Sequence, residues 1–158
     1  MDLKAKLSEL GAELPKVADA VADYVPAVRF GRLVYVSGQV PMVDGKVTAT
    51  GRVEPGNDAL QAAQDAARQC VLNGLAAADA VLDGDWSAFE RVVKVVVYVA
   101  GADGFDGPHH VANGASQLLA EVFGEAGRHA RVAVSVKSLP LDVPVEVEMT
   151  LGLSADAD

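Results

Sequence analysis

Residues 129–149 read HARVAVSVKSLPLDVPVEVEM, and the alternation in this stretch decides the fold. Val132, Val134 and Val136 share one face of an extended chain, while Arg131, Ala133, Ser135 and Lys137 share the other. After a break at Leu139–Asp142, Val145, Val147 and Met149 alternate with Glu146 and Glu148. Two period-two runs around a proline-containing loop predict two strands, read most simply as a half-solvated hairpin with the valine side inward. The outer face of such a hairpin normally carries Lys, Thr and Glu. This one opens with an arginine and two small residues and returns with two glutamates. A turn centred near Pro140-Leu141 sets Arg131 diagonally closer to Glu148 than to Glu146. The guanidinium borders a shallow space above Ala133 and Ser135, where its fork suits a carboxylate. Glu146 or Glu148 then holds the arginine or positions a water. The plainer alternative is a strand-end arginine paired with a surface carboxylate.

The 158 residues suggest one domain, 51% apolar but only 5% aromatic, so Ala and Val carry the burial. That balance favours closely packed helices on a valine-rich sheet. A net charge of −9 without a basic cluster argues against nucleic-acid partners. It leaves room for a small anion gripped by one well-placed arginine. Cys70 is the sole cysteine, which excludes an intrachain disulfide and a thiolate metal cage. No stretch approaches the ~18 apolar residues of a membrane span, and the N-terminus lacks a signal-like apolar core. A cytoplasmic protein with no membrane partner is expected.

Working outward, residues 2–10 predict a short amphipathic helix with Leu3, Leu7 and Leu10 on one side, stopped by Gly11. A short strand turns at Phe30-Gly31 into a second, with Val34 and Val36 opposite Leu33, Tyr35 and Ser37. Asp44-Gly45 signals a tight turn. Asp58 to Leu82 is the clearest helix, with a capping box of Asp58 and Gln61 and a stop at Asp83-Gly84. RVVKVVVYV (91–99) predicts a strand apolar on both faces. A second long helix runs from about Pro108 to Phe123, with Gly124 after it. The order is β-β-α-β-α-β-β, an α+β fold with two helices on one face of a mixed sheet. Two helices cover one face only, so the other is expected to pack against further copies of the chain.

Conventional catalytic equipment is sparse. His109 and His110 are adjacent and point about 100° apart on a helix, the wrong spacing for shared metal ligation. They read as exposed helix-start residues, and no metal site is expected. Ser37-Gly38 lacks the frame of a nucleophile elbow. Cys70, Trp86 and Phe89 read as core residues, and Asp83 with Asp85 lacks the remaining ligands of a calcium loop.

Three segments together carry a family resemblance: YVPAVRFGRLVYVSGQVPM (24–42), RVVKVVVYV and RVAVSVKSLPLDVPVEVEM (131–149). Their S-G-Q-x-P and R-x-x-V-x-V-x-x-L-P-x-x-x-x-V-E-V-E patterns resemble the RidA/YjgF family of imine deaminases, also labelled endoribonuclease L-PSP. The resemblance covers residues 20–153, leaving a helical extension at 1–19 and an acidic, disordered tail at 154–158. It implies a chorismate-mutase-like fold and a homotrimer with clefts between subunits. It also implies cofactor-free hydrolysis of enamines or 2-imino acids to 2-oxoacids and ammonia. By motif position, Arg131 binds the substrate carboxylate and Glu146 orients the hydrolytic water. Tyr24, Ser37, Gly38, Asn113 and Ala133 fall on substrate-binding positions. Two departures stand out: Asp23 replaces the usual proline before Tyr24, and Ala133 stands where a cysteine is common. The alternatives are a non-catalytic small-molecule-binding or regulatory trimer and, third, an endoribonuclease that the acidic charge disfavours.

Overall fold

The computed structural model describes residues 1–17 and 23–155. The boundary placed at 19/20 and the last three tail residues lie outside them. Helix α1 spans Leu3–Glu9, followed by strands β1 (Ala27–Phe30), β2 (Leu33–Gln39), β3 (Met42–Val43) and β4 (Lys46–Val47). Helix α2 (Asn57–Val81) leads to β5 (Phe89–Ala100), then α3 (Pro108–Phe123), β6 (Ala130–Val136) and β7 (Val145–Leu153). One sheet has the order β1-β2-β7-β5-β6; β3 and β4 form a separate hairpin. Its turn is Asp44-Gly45, both at positive φ, as the dipeptide predicts.

The expected final hairpin does not exist. β5 lies between the last two strands, parallel to β6 and antiparallel to β7. The loop after β6 therefore passes the end of β5 instead of turning back beside its own strand. The faces of β6 are also reversed from the hairpin reading. Arg131 and Ala133 register with Val95 and Val97, which are fully buried under the helices. Val132 and Val134 register with Val96 and Tyr98 on the uncovered face, where both valines are about 40% exposed (40% and 41%). Alternation gave the grouping correctly; it carries no information about which side the helices cover.

On the covered face, Val34, Val36, Val95, Val97, Val145, Val147 and Met149 meet α2 and α3. The low aromatic content is matched by close backbone approach. A Cβ on Gly114 of α3 would fall 2.2 Å from the Gln64 carbonyl oxygen of α2. Ala63, Ala66 and Ala67 on α2 keep the two helices that near. The helix bridge is tied at its rim by Arg68–Glu121 at 2.7 Å.

α2 begins one residue earlier than predicted, with Gly56 at the N-cap and no side-chain cap. The Asp58–Gln61 capping box is thus absent; Asp58 lies inside the first turn, where it still suits the helix dipole, and Gln61 bonds Asp65 instead. Pro108–Phe123 agrees with the predicted bounds. In α1, Leu3 and Leu7 are buried while Leu10 is not, so two of the three predicted leucines anchor it. The uncovered sheet face carries Val28, Phe30, Tyr35, Val132 and Val134, with Phe30 78% exposed. No described helix is long and apolar enough to cross a membrane.

The helix contact yields a test whose sign opposes intrinsic propensity. Alanine is the better helix former by about 1 kcal/mol, yet Gly114→Ala should destabilise the protein by about 1–3 kcal/mol through forced separation of α2 and α3. A lower urea midpoint with unchanged slope is the expected result. A higher midpoint would contradict the close-packed helix pair.

Candidate functional site

Arg131 projects from the edge strand β6 toward α3, because its register partner Val95 faces the helices. Its Nη1 donates to Asn113 Oδ1 at 3.0 Å and to Ser116 Oγ at 3.1 Å. Its Nη2 donates to the His109 carbonyl at 3.2 Å. Asn113 and Ser116, three apart, share the face of α3 that overlooks β6. Arg131 makes no ion pair among the described residues, so neither glutamate holds it. The surface-pair alternative falls with the same observation.

Beside this contact, His129 is half-buried just before β6, two residues ahead of Arg131. Its Nδ1 lies 2.6 Å from the Gly127 carbonyl, and its Nε2 lies 3.1 Å from Ser116 Oγ. A carbonyl only accepts, so Nδ1 carries the hydrogen in the neutral ring, Nε2 accepts, and the Ser116 hydroxyl donates to it. Burial, then the Arg131 charge, lowers the pKa of His129; the Gly127 hydrogen bond opposes them. The neutral imidazole is therefore favoured. Asn113, Ser116, Gln117, Gly127, His129 and Arg131 line a cleft of about 460 Å³.

Glu146 stands on the other face of the sheet. It registers with Tyr98, whose chain neighbours Val97 and Val99 are fully buried under the helices. Arg131 and Glu146 are separated by β5 and by the thickness of the sheet, two strand spacings or about 10 Å apart laterally. Gly38 lies beside Glu146: a Cβ there would fall 1.8 Å from Glu146 Oε1. A register shift between Val36 and Gln39 bulges the strand at Ser37-Gly38 and makes that approach possible. Ser37 fastens the bulge, donating from Oγ to the Pro26 carbonyl at 3.1 Å. The Tyr98 hydroxyl donates to Glu148 Oε2 at 3.4 Å.

The structure thus sorts the sequence-predicted residues into two groups. Arg131, Asn113 and Ala133 are together on the helix side; Glu146, Gly38 and Ser37 are together on the open side. Tyr24 joins neither by a hydrogen bond and is 52% exposed on the loop before β1. Sequence reading missed Ser116 and His129 as members of the first group. Position 129 precedes Arg131 by two, the period of an extended chain, and position 116 follows Asn113 by three, so both spacings were available once Arg131 was in hand. No group of three or more His, Cys, Asp or Glu residues suited to a metal occurs among the described residues.

Comparison with known proteins gives a consistent result. The family described as Endoribonuclease L-PSP matches residues 15–151. Protein TCP17 of Trypanosoma cruzi is 40% identical over 151 residues, covering 95% of this chain and 93% of that one. The crystal structure of Atu1372, a protein of unknown function from Agrobacterium tumefaciens, is 44% identical with a TM-score of 0.86, covering 96% of this chain and 92% of that one. A putative endoribonuclease from Shewanella oneidensis superposes with a TM-score of 0.89 at 28% identity, over 97% of this chain and all (100%) of the other.

Burial, and then the neighbouring Glu148 carboxylate, raises the pKa of Glu146 above its ordinary value of 4.5. The native state therefore binds this proton more readily than the unfolded chain. Its stabilising contribution is full below the ordinary carboxylate range and is lost as pH rises through the raised value. Glu146→Gln removes the cost of burying that charge. The variant should melt higher than the parent at pH 8, with the advantage shrinking as pH falls toward 4.5. Melting curves across that range check the sign; a pH-independent difference would contradict it.

Proposed function

Because the chain belongs to the Endoribonuclease L-PSP family, which includes YjgF and RidA, we propose that it hydrolyses reactive 2-imino acids to 2-oxoacids and ammonia. The observation that carries this reading is the cradled guanidinium. Arg131 is fixed by Asn113, Ser116 and the His109 carbonyl while Nε and one Nη2 hydrogen have no partner among the described residues. The Nε–Nη2 edge of a guanidinium is a fork that matches the two oxygens of a carboxylate. With the carboxylate fixed there, Ala133 leaves space for a substrate side chain.

The chemistry needs one water and no cofactor. Water adds to the C=N carbon as the nitrogen takes up a proton, giving a carbinolamine. A proton then moves from its hydroxyl to nitrogen, the C–N bond breaks with its electrons on nitrogen, and a 2-oxoacid and ammonia leave. A carboxyl group with raised pKa suits both transfers, so Glu146 is assigned to aim the water and relay its proton.

Arg131 and Glu146 of one chain cannot share a substrate through the sheet. The reading therefore includes a homotrimer in which the open face of one subunit meets the β6 edge of the next. The exposed apolar side chains Val28, Phe30, Tyr35, Val132 and Val134 support a second copy as the occupant of that face. The net charge of −9 weighs against a polyanionic RNA substrate.

Three measurements bear on the proposal. Light scattering should return three times the 16.3 kDa chain mass; a monomer at micromolar concentration would contradict it. With an amino-acid oxidase supplying 2-imino acids, Arg131→Ala should lower the enzymatic acceleration about a hundredfold by removing two charge-assisted bonds. Lysine should restore only part, being a point charge. Glu146→Gln should keep 2-oxoacid affinity while slowing turnover about a hundredfold. Full activity in a folded Arg131→Ala protein would overturn the assignment of the anchor.

A further inference from the structure

We propose that Ser116 and His129 are positioning residues for Arg131, holding its guanidinium so that one edge alone is presented to a substrate carboxylate. The proposal rests on the reading of Arg131 as the carboxylate anchor and concerns the device that aims it.

A guanidinium has five N–H donors in a rigid plane. Both Nη1 hydrogens are occupied, by Asn113 Oδ1 and Ser116 Oγ, and one on Nη2 goes to the His109 carbonyl. Three fixed donors leave Nε–H and one Nη2 hydrogen as those available to a ligand. An exposed arginine without such partners samples many rotamers and loses that freedom when it binds. Here much of the ordering precedes the ligand.

The part played by His129 follows from the serine hydroxyl, which has one hydrogen and a free rotor. Left alone, a serine in mid-helix turns its hydrogen back toward the carbonyl four residues earlier. Nε2 of His129 instead draws that hydrogen outward at 3.1 Å, which turns the oxygen lone pairs toward Arg131 Nη1. The imidazole is itself held at Nδ1 by the Gly127 carbonyl at 2.6 Å. Gly127 is packed so tightly on the end of α3 that a Cβ would fall 2.1 Å from the Leu119 carbonyl oxygen. A continuous chain of fixed groups thus runs from the backbone of the Gly124–Gly127 turn through His129 and Ser116 to the guanidinium. An ordinary role in packing would not require Nε2 to point at the hydroxyl that Arg131 uses.

The test reads the guanidinium directly and then its ligand, on the protein in its native assembly. Nitrogen-15 NMR of ligand-free wild type should show distinct, slowly exchanging Nη signals for Arg131. Ser116→Ala and His129→Ala should merge them. His129→Gln, whose amide oxygen can accept in place of Nε2, should keep them apart. By calorimetry with 2-oxobutanoate as the probe, the two alanine variants should bind about tenfold more weakly, and His129→Gln should bind as wild type does. A Ser116→Ala protein with distinct Nη signals and unchanged affinity would overturn the proposal. The anchor reading fails separately: if wild type does not bind the 2-oxoacid but Ser116→Ala still frees the guanidinium, positioning stands and the carboxylate role falls. If Arg131→Ala abolishes binding while Ser116→Ala alters neither readout, the anchor stands and positioning falls.

Discussion

The parallel pairing of β5 with β6 governs the rest of the molecule. Parallel neighbours cannot be joined by a tight turn, so the chain must cross over a face of the sheet between them. α3 is that crossing. It lies over β6 as a direct consequence, which brings Asn113 and Ser116 to the side of the strand where Arg131 emerges. β6 thereby occupies the sheet edge, and β7 is left to pair on the far side of β5. One pairing choice produces both the cradle around Arg131 and the separation of Arg131 from Glu146.

The helix layer meets that topology with small residues. Gly114 and the alanines of α2 let two backbones approach within contact distance, and the branched chains of Val34, Val95, Val97 and Val145 fill the sheet side. The same economy leaves the opposite face with valines, Phe30 and Tyr35 facing outward. Glu146 sits within that face, half-screened from water over the glycine bulge of β2. In the proposed trimer a neighbouring subunit covers this apolar ground and places its own arginine across the bound substrate from the glutamate. Assembly and chemistry then have a single cause, the incompleteness of each chain.

Much of this was legible in the residues. Period-two alternation grouped the β6 and β7 side chains correctly, Asp44-Gly45 marked its hairpin, and three- and four-residue spacing gave both long helices. The S-G-Q-x-P and arginine-containing patterns pointed to the family. What stayed illegible is physical in each instance. Alternation divides a strand into two faces without saying which is covered, so Val132 and Val134 were assigned inward. Strands adjacent in sequence are usually adjacent in space, and β5 inserted between β6 and β7 breaks that rule. The Asp58 cap failed because Gly56, at positive φ, starts the helix one residue sooner. Ser116 and His129 were passed over because a lone serine and a lone histidine carry no chemistry until the fold aims them at each other.

The central claim is that one catalytic centre needs Arg131 from one subunit and Glu146 from the next. Subunit mixing tests it most directly. Arg131→Ala and Glu146→Gln proteins, each impaired about a hundredfold alone, are unfolded together in equal amounts and refolded as mixed assemblies. In a closed trimer with sites between subunits, about a quarter of the sites should receive both intact residues, restoring about a quarter of wild-type activity. A mixture that stays as impaired as its parents, although mass analysis shows mixed trimers, would contradict the account.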